Sequence, residues 1–115
     1  MRAYELMVIF DGATDESDVE RILQQGGGLI TAGGGRVAKT DRWGRRRFAY
    51  EINHKWEGIY VVLEIVTEAS NLDDLERMLR IADEVVRHKL VRLPDHEAAR
   101  RGLLGGEAQP APVAG

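Results

Sequence analysis

Four stretches of the chain are rich in β-branched and aromatic residues and are predicted to be strands: residues 3–10, 36–53, 59–66 and 85–93. Because side chains alternate along a strand, Leu6 and Phe10 point to one side of the first stretch, and Met7 and Ile9 point to the other. Both sides are therefore apolar, and this strand is expected to be buried on two faces or to await a partner. In the second stretch, Gly44 predicts a bulge or a kink.

The first stretch with helical spacing is interrupted by glycine. It begins after a cap residue at Thr14 or Asp15 and meets three glycines at positions 26–28. Each glycine costs about 1 kcal/mol inside a helix, so local propensity alone ends the helix just before them. The apolar stripe resumes after the gap, and packing of that stripe would carry the helix to Thr31. The glycines at positions 33–35 predict the stop.

The predicted elements follow one another in the order β-α-β-β-α-β, with the second helix covering residues 72–81. Because each helix crosses over between strands, this order predicts an α+β, ferredoxin-like βαββαβ fold: a four-stranded antiparallel sheet with two helices on one face. The domain spans residues 1–93. Residues 94–115 are rich in Ala, Gly, Pro and charge without periodicity, so they are predicted to form a flexible C-terminal tail. The other sheet face carries no helix, and its apolar side chains require an explanation.

Length and composition narrow the class of protein. A chain of 115 residues is typical of a single domain. It has no cysteine, which excludes disulfide frameworks, thiolate zinc sites and thiol nucleophiles. No apolar run approaches the roughly 20 residues of a membrane span, and the N-terminus lacks a signal-peptide pattern. A cytoplasmic protein without membrane contact is expected.

The net charge of −3 conceals an uneven distribution. Residues 36–55 contain seven basic and two acidic side chains and carry +5, whereas the rest of the chain carries −8. Such an asymmetry marks a surface that attracts a charged partner. It is equally compatible with a solvated strand edge, because Lys and Arg also prevent edge-to-edge aggregation.

Catalytic chemistry is not indicated. The three histidines lack metal-ligand spacing, and no carboxylate pair stands out as a general acid and base. Glycine-rich loops bind phosphate where a strand leads into a helix, but the glycines here follow a helix. An acylphosphatase-like site would need an anion-binding loop after the first strand, where Asp11 stands instead. We therefore expect no enzyme activity, no cofactor, no metal and no small-molecule substrate.

The segment DRWGRRRFAYEIN, residues 41–53, resembles the signature of the bacterial small-subunit ribosomal protein S-six family. The family pattern is a glycine, a basic pair, an apolar residue, Ala-Tyr and an alternate Ile, matched here by Gly44, Arg46, Arg47, Phe48, Ala49, Tyr50 and Ile52. The opening MRAYE and the later EGIY are similar to the family as well, and the resemblance covers residues 1 to about 92. Phe48 replaces the usual Leu. The triple glycine falls inside the family's first helix, which is expected to be weakened or kinked.

The resemblance implies a ferredoxin-like structural component of the small ribosomal subunit, located on the cytoplasmic ribosome. It implies binding to the central domain of 16S rRNA as a heterodimer with the basic ribosomal protein S-eighteen. The RNA-binding candidates are the basic residues Arg45, Arg46, Arg47, Lys55, Arg87 and Lys89. The partner-binding candidates lie on the helix-free face: Met7, Ile9, Tyr60 and Glu64. Phe48 and Ile52 are expected in the core, and Trp43 and Tyr50 could stack on bases or pack across strands.

Two other functions remain open from the residues. Ferredoxin-like domains often pair their sheets, which allows a homo-oligomeric module that binds a small regulatory molecule. An autonomous RNA-recognition module shares the topology, but it needs stacking aromatics and basic residues on the third strand. That strand, IYVVLEIV, offers Tyr60 alone.

Overall fold

The computed structural model of the chain describes residues 1–52 and 54–103. Its elements, in chain order, are β1 (Arg2–Asp11), α1 (Glu16–Ala32), β2 (Arg36–Ile52), β3 (Lys55–Thr67), α2 (Leu72–Ile81), β4 (Val85–Arg92) and α3 (Asp95–Arg100). The strands form one sheet in the order β2-β3-β1-β4, and all neighbours are antiparallel. The predicted α+β, ferredoxin-like fold is confirmed. The bulge predicted at Gly44 is present, since the pairing of β2 with β3 shifts there and Gly44 has a φ of 85°.

The main core lies between the sheet and the two long helices. β1 contributes its even-numbered side, including Leu6, Val8 and Phe10, which is fully buried. β3 contributes Val61 and its odd-numbered neighbours, and α1 and α2 contribute the apolar stripes that the sequence predicts. The core thus uses one face of each strand, and the odd-numbered side of β1 faces away from α1 and α2.

Helix α1 runs unbroken through its three glycines and ends at Ala32, so packing prevails over local propensity. Gly26 is buried where α1 meets α2. A Cβ built on Gly26 would lie 3.1 Å from Leu75 Cδ1 and 3.3 Å from Met78 Cε, whereas one on Gly28 would meet nothing within 4 Å. At least one of the three glycines therefore permits a close approach of the two helices. The predicted stop follows, with Gly34 in the left-handed region at φ 91°.

The prediction of a tail from residue 94 onward is wrong for residues 94–103. Helix α3 packs on the sheet face opposite α1 and α2, which we call the helix-free face because neither long helix covers it. There it forms a small second core from Ala3, Val66, Leu93, Ala98 and Leu103. A helix of six residues is too short to show periodicity, and its contacts are made with β1 and β3, distant in sequence. Residues 104–115 of the predicted tail, and Asn53 of the predicted hairpin loop, lie outside the described residues.

Candidate nucleic-acid interface

Strands β2 and β3 extend beyond the rest of the sheet. β1 pairs with β3 only as far as Gly58, and Gly58 lies opposite Arg46 of β2. Residues 47–52 and 54–57 therefore project as a two-stranded arm, which we call the arm below. A two-stranded hairpin is marginally stable in water, so the arm needs contacts with the body of the protein.

Phe48 supplies the main contact between the arm and the sheet. Its side chain is 6% exposed, and it is packed over Gly58, where a Cβ would lie 2.7 Å from Phe48 Cζ and 2.6 Å from Ile9 Cγ2. The Phe48 ring meets Tyr60 edge to face at 6.2 Å between centroids, and Tyr60 in turn stacks on Trp43 at 6.3 Å. Phe48 is buried as expected, but on the helix-free face rather than in the core beneath the helices. Ile52 is half-buried in the arm, not in that core.

Four of the six RNA-binding candidates lie on the arm or at its base. The Arg46 guanidinium carbon lies 5.6 Å from the ring centroid of Trp43, and that of Arg47 lies 5.9 Å from the ring centroid of Trp56. The other two RNA-binding candidates of this group are Arg45 and Lys55. Cation–π contacts of this kind orient a guanidinium without neutralising its charge.

Arg45 and Lys55 tie the base of the arm to the turn after β1. Arg45 Nε donates a hydrogen bond to the carbonyl oxygen of Gly12 at 3.0 Å. Lys55 Nζ lies 2.7 Å from Asp11 Oδ2, and this bond, with the amide of Ala13, lowers the pKa of the Asp11 carboxyl. Asp11, whose negative charge disfavours an anion-binding site after β1, is thus paired with Lys55.

Arg87 and Lys89 lie on β4, directly opposite Ile9 and Met7 of β1. They border a groove of about 320 Å³ on the helix-free face, which we call the groove below. Its lining includes the partner candidates Met7, Ile9 and Tyr60 together with the RNA candidates Arg47, Arg87 and Lys89. The structure therefore brings members of both predicted sets to one surface.

Glu64 is separated from the groove by its own ion pair. Arg101, just after α3, donates from Nη1 to Glu64 Oε2 at 3.0 Å and to Glu5 Oε2 at 3.3 Å. Its Nε donates to Glu97 Oε2 at 2.6 Å. Hydrogen bonds from Arg100 and, to a smaller extent, Arg101 lower the pKa of Glu97 to about 2. This end of the helix-free face is therefore occupied by α3, and the open part is the groove.

Two features of the interface were not predicted from the sequence. Arg42 belongs to the +5 segment, but it pairs with Glu16 and Glu20 of α1 and is directed to the helix side. Trp56 was missed, although it is half exposed and follows Lys55 in the arm. A tryptophan beside a lysine in a hairpin is the signal that would have indicated it.

The described part of the chain contains no group of three or more His, Cys, Asp and Glu side chains able to hold a metal ion. His54 is exposed beside Glu51, and His88 lies on the helix side, 3.3 Å from Glu76 Oε2. Within residues 1–52 and 54–103, no helix has the length and apolar character needed to cross a bilayer.

The family model described as ribosomal protein S6 matches residues 3–92. This chain belongs to the ribosomal protein S6 family. It is 46% identical over 92 residues to the small ribosomal subunit protein bS6 of Carboxydothermus hydrogenoformans, which covers 80% of this chain and 96% of that protein. It is 42% identical over 116 residues to the bS6 protein of Saccharopolyspora erythraea, covering 99% and 98% of the two chains. The crystal structure of 30S ribosomal protein S6 from Thermotoga maritima superposes with a TM-score of 0.78 at 33% identity, covering 87% of this chain and 94% of that one.

Membership of this family confirms the resemblance found in residues 41–53 and identifies a protein of the small ribosomal subunit. The expected location on the ribosome is confirmed with it. The family is structural rather than catalytic. The similarity to the Saccharopolyspora protein continues past residue 92 into the region of α3.

Proposed function

We propose that this protein is a non-catalytic assembly component that binds the central domain of 16S rRNA as a heterodimer with ribosomal protein S-eighteen. The observation that carries the proposal is the arm, which holds Arg47 and Lys55 beyond the end of β1 and has Arg45 and Arg46 at its base. Positive charge on a projecting element reaches phosphates without a clash between the RNA and the body of the protein. Phosphate contacts supply most of the salt-dependent affinity of such proteins.

The charge of the rest of the chain supports a basic protein partner. Outside residues 36–55 the chain carries −8, which favours association with a basic protein through complementary potentials. The groove offers apolar surface from Met7, Ile9 and Tyr60, bordered by polar side chains, as protein interfaces do. Glu64 is part of this proposal only if the partner displaces Arg101.

The test is a binding titration with a central-domain rRNA fragment, with and without purified S-eighteen, over a range of salt concentrations. We expect a complex that requires the partner and weakens steeply as salt rises. If no partner-dependent, salt-sensitive complex forms, the proposal is wrong.

One observation favours the homo-oligomeric regulatory module as a second candidate. The groove volume of about 320 Å³ falls in the range of small-molecule sites, and three cations border it. Light scattering of the isolated protein distinguishes the two. A stable homodimer whose mass is unaffected by rRNA and S-eighteen would favour the module.

A further inference from the structure

Trp56 stands at the mouth of a second depression, separate from the groove. This cleft of about 460 Å³ lies between the arm and the turn after β1. Gly12 and Ala13 form one wall, and Arg45, Lys55 and Trp56 contribute to the other. Single exposed apolar residues are common on protein surfaces. Trp56 differs because its indole, 50% exposed, has the Arg47 guanidinium carbon 5.9 Å from its ring centroid and lines one cleft with Arg45 and Lys55, beside the carboxylates of Asp11 and Glu57.

The charged side chains around the cleft differ in whether they form ion pairs. Lys55 is paired with Asp11, whose lowered pKa keeps that carboxylate ionised. In the described part of the chain, neither Arg45 nor Arg47 forms an ion pair with a carboxylate. The hydrogen bond from Arg45 Nε to Gly12 fixes that side chain along the cleft wall. Glu57 lines the same cleft without an ion pair to either arginine in the described residues, so two guanidinium groups near the exposed indole are not paired with a carboxylate.

We propose that Trp56 is a stacking platform for one unpaired RNA base, with Arg45 and Arg47 contacting the neighbouring phosphates. The inference rests on the proposed function and specifies its ligand: unpaired nucleotides rather than continuous duplex. Bases inside an A-form helix are stacked on one another, whereas bases of loops, bulges and ends stack on aromatic rings and guanidinium planes. The cleft volume falls in the range of small-ligand sites.

Trp56 suits this role better than Trp43. The Trp43 ring is already stacked on Tyr60 with an interplanar angle of 8°, so a base would have to displace that contact. No aromatic ring packs on Trp56 in the described residues, and its partner Arg47 is itself a group that stacks on bases. A purely structural role, in which the indole only supports Arg47, predicts a different outcome in the experiment below.

The experiment measures binding of the central-domain rRNA fragment, with S-eighteen present, to four proteins: wild type, Trp56→Leu, Trp56→Phe and Ile81→Ser. Ile81 is an exposed apolar residue of α2 and serves as the control for loss of apolar surface. We expect Trp56→Leu to weaken binding about 5- to 150-fold, the loss of one stacked base. Its salt dependence should match wild type because no charge is removed. Trp56→Phe should restore most of the affinity, and Ile81→Ser should bind like wild type.

A fluorescence measurement separates stacking from structural support. The chain has two tryptophans, so Trp56 is the only one left in Trp43→Phe. With S-eighteen present, we expect a central-domain fragment to change the Trp56 emission and a fully paired duplex of equal length to leave it unaltered. Wild-type affinity in Trp56→Leu, or equal loss in Trp56→Leu and Trp56→Phe, would overturn the stacking role while rRNA binding stands. Absence of salt-sensitive binding by wild type would overturn the proposed function and, with it, this inference.

Discussion

Glu5 of β1 and Glu64 of β3 lie directly opposite each other in the sheet, and Arg101 bridges both carboxylates. Like charges facing each other across two strands destabilise a sheet, so Arg101 removes a repulsion as well as holding α3 in place. The arrangement makes the C-terminal helix part of the sheet's charge balance.

Replacing Arg101 should therefore release α3. We expect Arg101→Gln to lower the free energy of unfolding by about 1 kcal/mol, a modest value because these groups are partly exposed. Amide hydrogen exchange in α3 should accelerate more than in α2. Arg100→Gln is the matched control, since Arg100 pairs with Glu97 alone among the described residues. Equal exchange in the two variants would show that the bridge does not hold the helix.

The same helix should respond to acid. The folded-state pKa of Glu97 is about 2, below its ordinary value of 4.5, because Arg100 and Arg101 stabilise the carboxylate. This contribution is fully present above pH 4.5 and is lost as the pH falls toward 2. We expect protection of α3 amides to decrease over that window before the main core unfolds. Glu97→Gln should reduce the pH dependence of α3 protection, although the pairs of Arg101 with Glu5 and Glu64 remain; an unchanged profile would contradict this assignment.

Gly26 and Gly28 should differ although they are neighbours in one helix. Gly28→Ala is expected to stabilise the protein by about 1 kcal/mol, because alanine favours the helix and its Cβ meets open space. In Gly26→Ala the same gain is opposed by the contact with Leu75 in the core, and overpacking costs about 1–3 kcal/mol. Urea unfolding of both variants gives the comparison. Equal stabilisation by both substitutions would show that the Leu75 side chain can move aside without lowering the free energy of unfolding.

Phe48 should control the orientation of the arm. Phe48→Ala removes its anchor, and we expect a loss of about 3 kcal/mol in stability together with weaker rRNA binding. Phe48→Leu keeps an apolar side chain and should cost less than about 1.5 kcal/mol. Urea unfolding and rRNA titration with S-eighteen measure the two effects. Undiminished rRNA binding by a folded Phe48→Ala would show that the arm does not carry the contact.

The arginines of the arm should determine the salt dependence of binding. If Arg47 contacts a phosphate, Arg47→Ala should reduce the slope of log K against log salt by about one unit. Arg80→Ala, a removal of the same charge from the exposed side of α2, should leave the slope unchanged. Similar slopes for wild type and Arg47→Ala would place Arg47 outside the RNA contact.

Periodic elements could be predicted from the sequence because their apolar spacing is local. The bounds of α2 follow from its stripe, and β1 from its run of apolar residues. Helix α3 could not be predicted, since Ala98 and Leu103 become core residues only through contact with Ala3 and Val66.

The same distinction between local patterns and contacts distant in sequence applies to the side chains of the interface. The sequence indicates Arg47, Arg87 and Met7 as candidates, but their meeting in one groove depends on strand register and on the curvature of the arm. Burial of Phe48 could be predicted, but its place on the helix-free face could not, because the length of β2 beyond the sheet has no local signature. The pairing of Glu64 with Arg101 could not be predicted, because it joins distant parts of the chain.

The helix-free face is bounded at both ends, by α3 near Glu5 and by the arm near Ile9. Ile9 lies four steps along β1 from Glu5, which corresponds to roughly 13 Å at 3.3 Å per residue. An α-helix with its side chains is about 10–12 Å wide. Because α3 and the arm occupy both positions, the open strip of this face is no wider than one α-helix, and a second four-stranded sheet laid flat on it would collide with both boundaries.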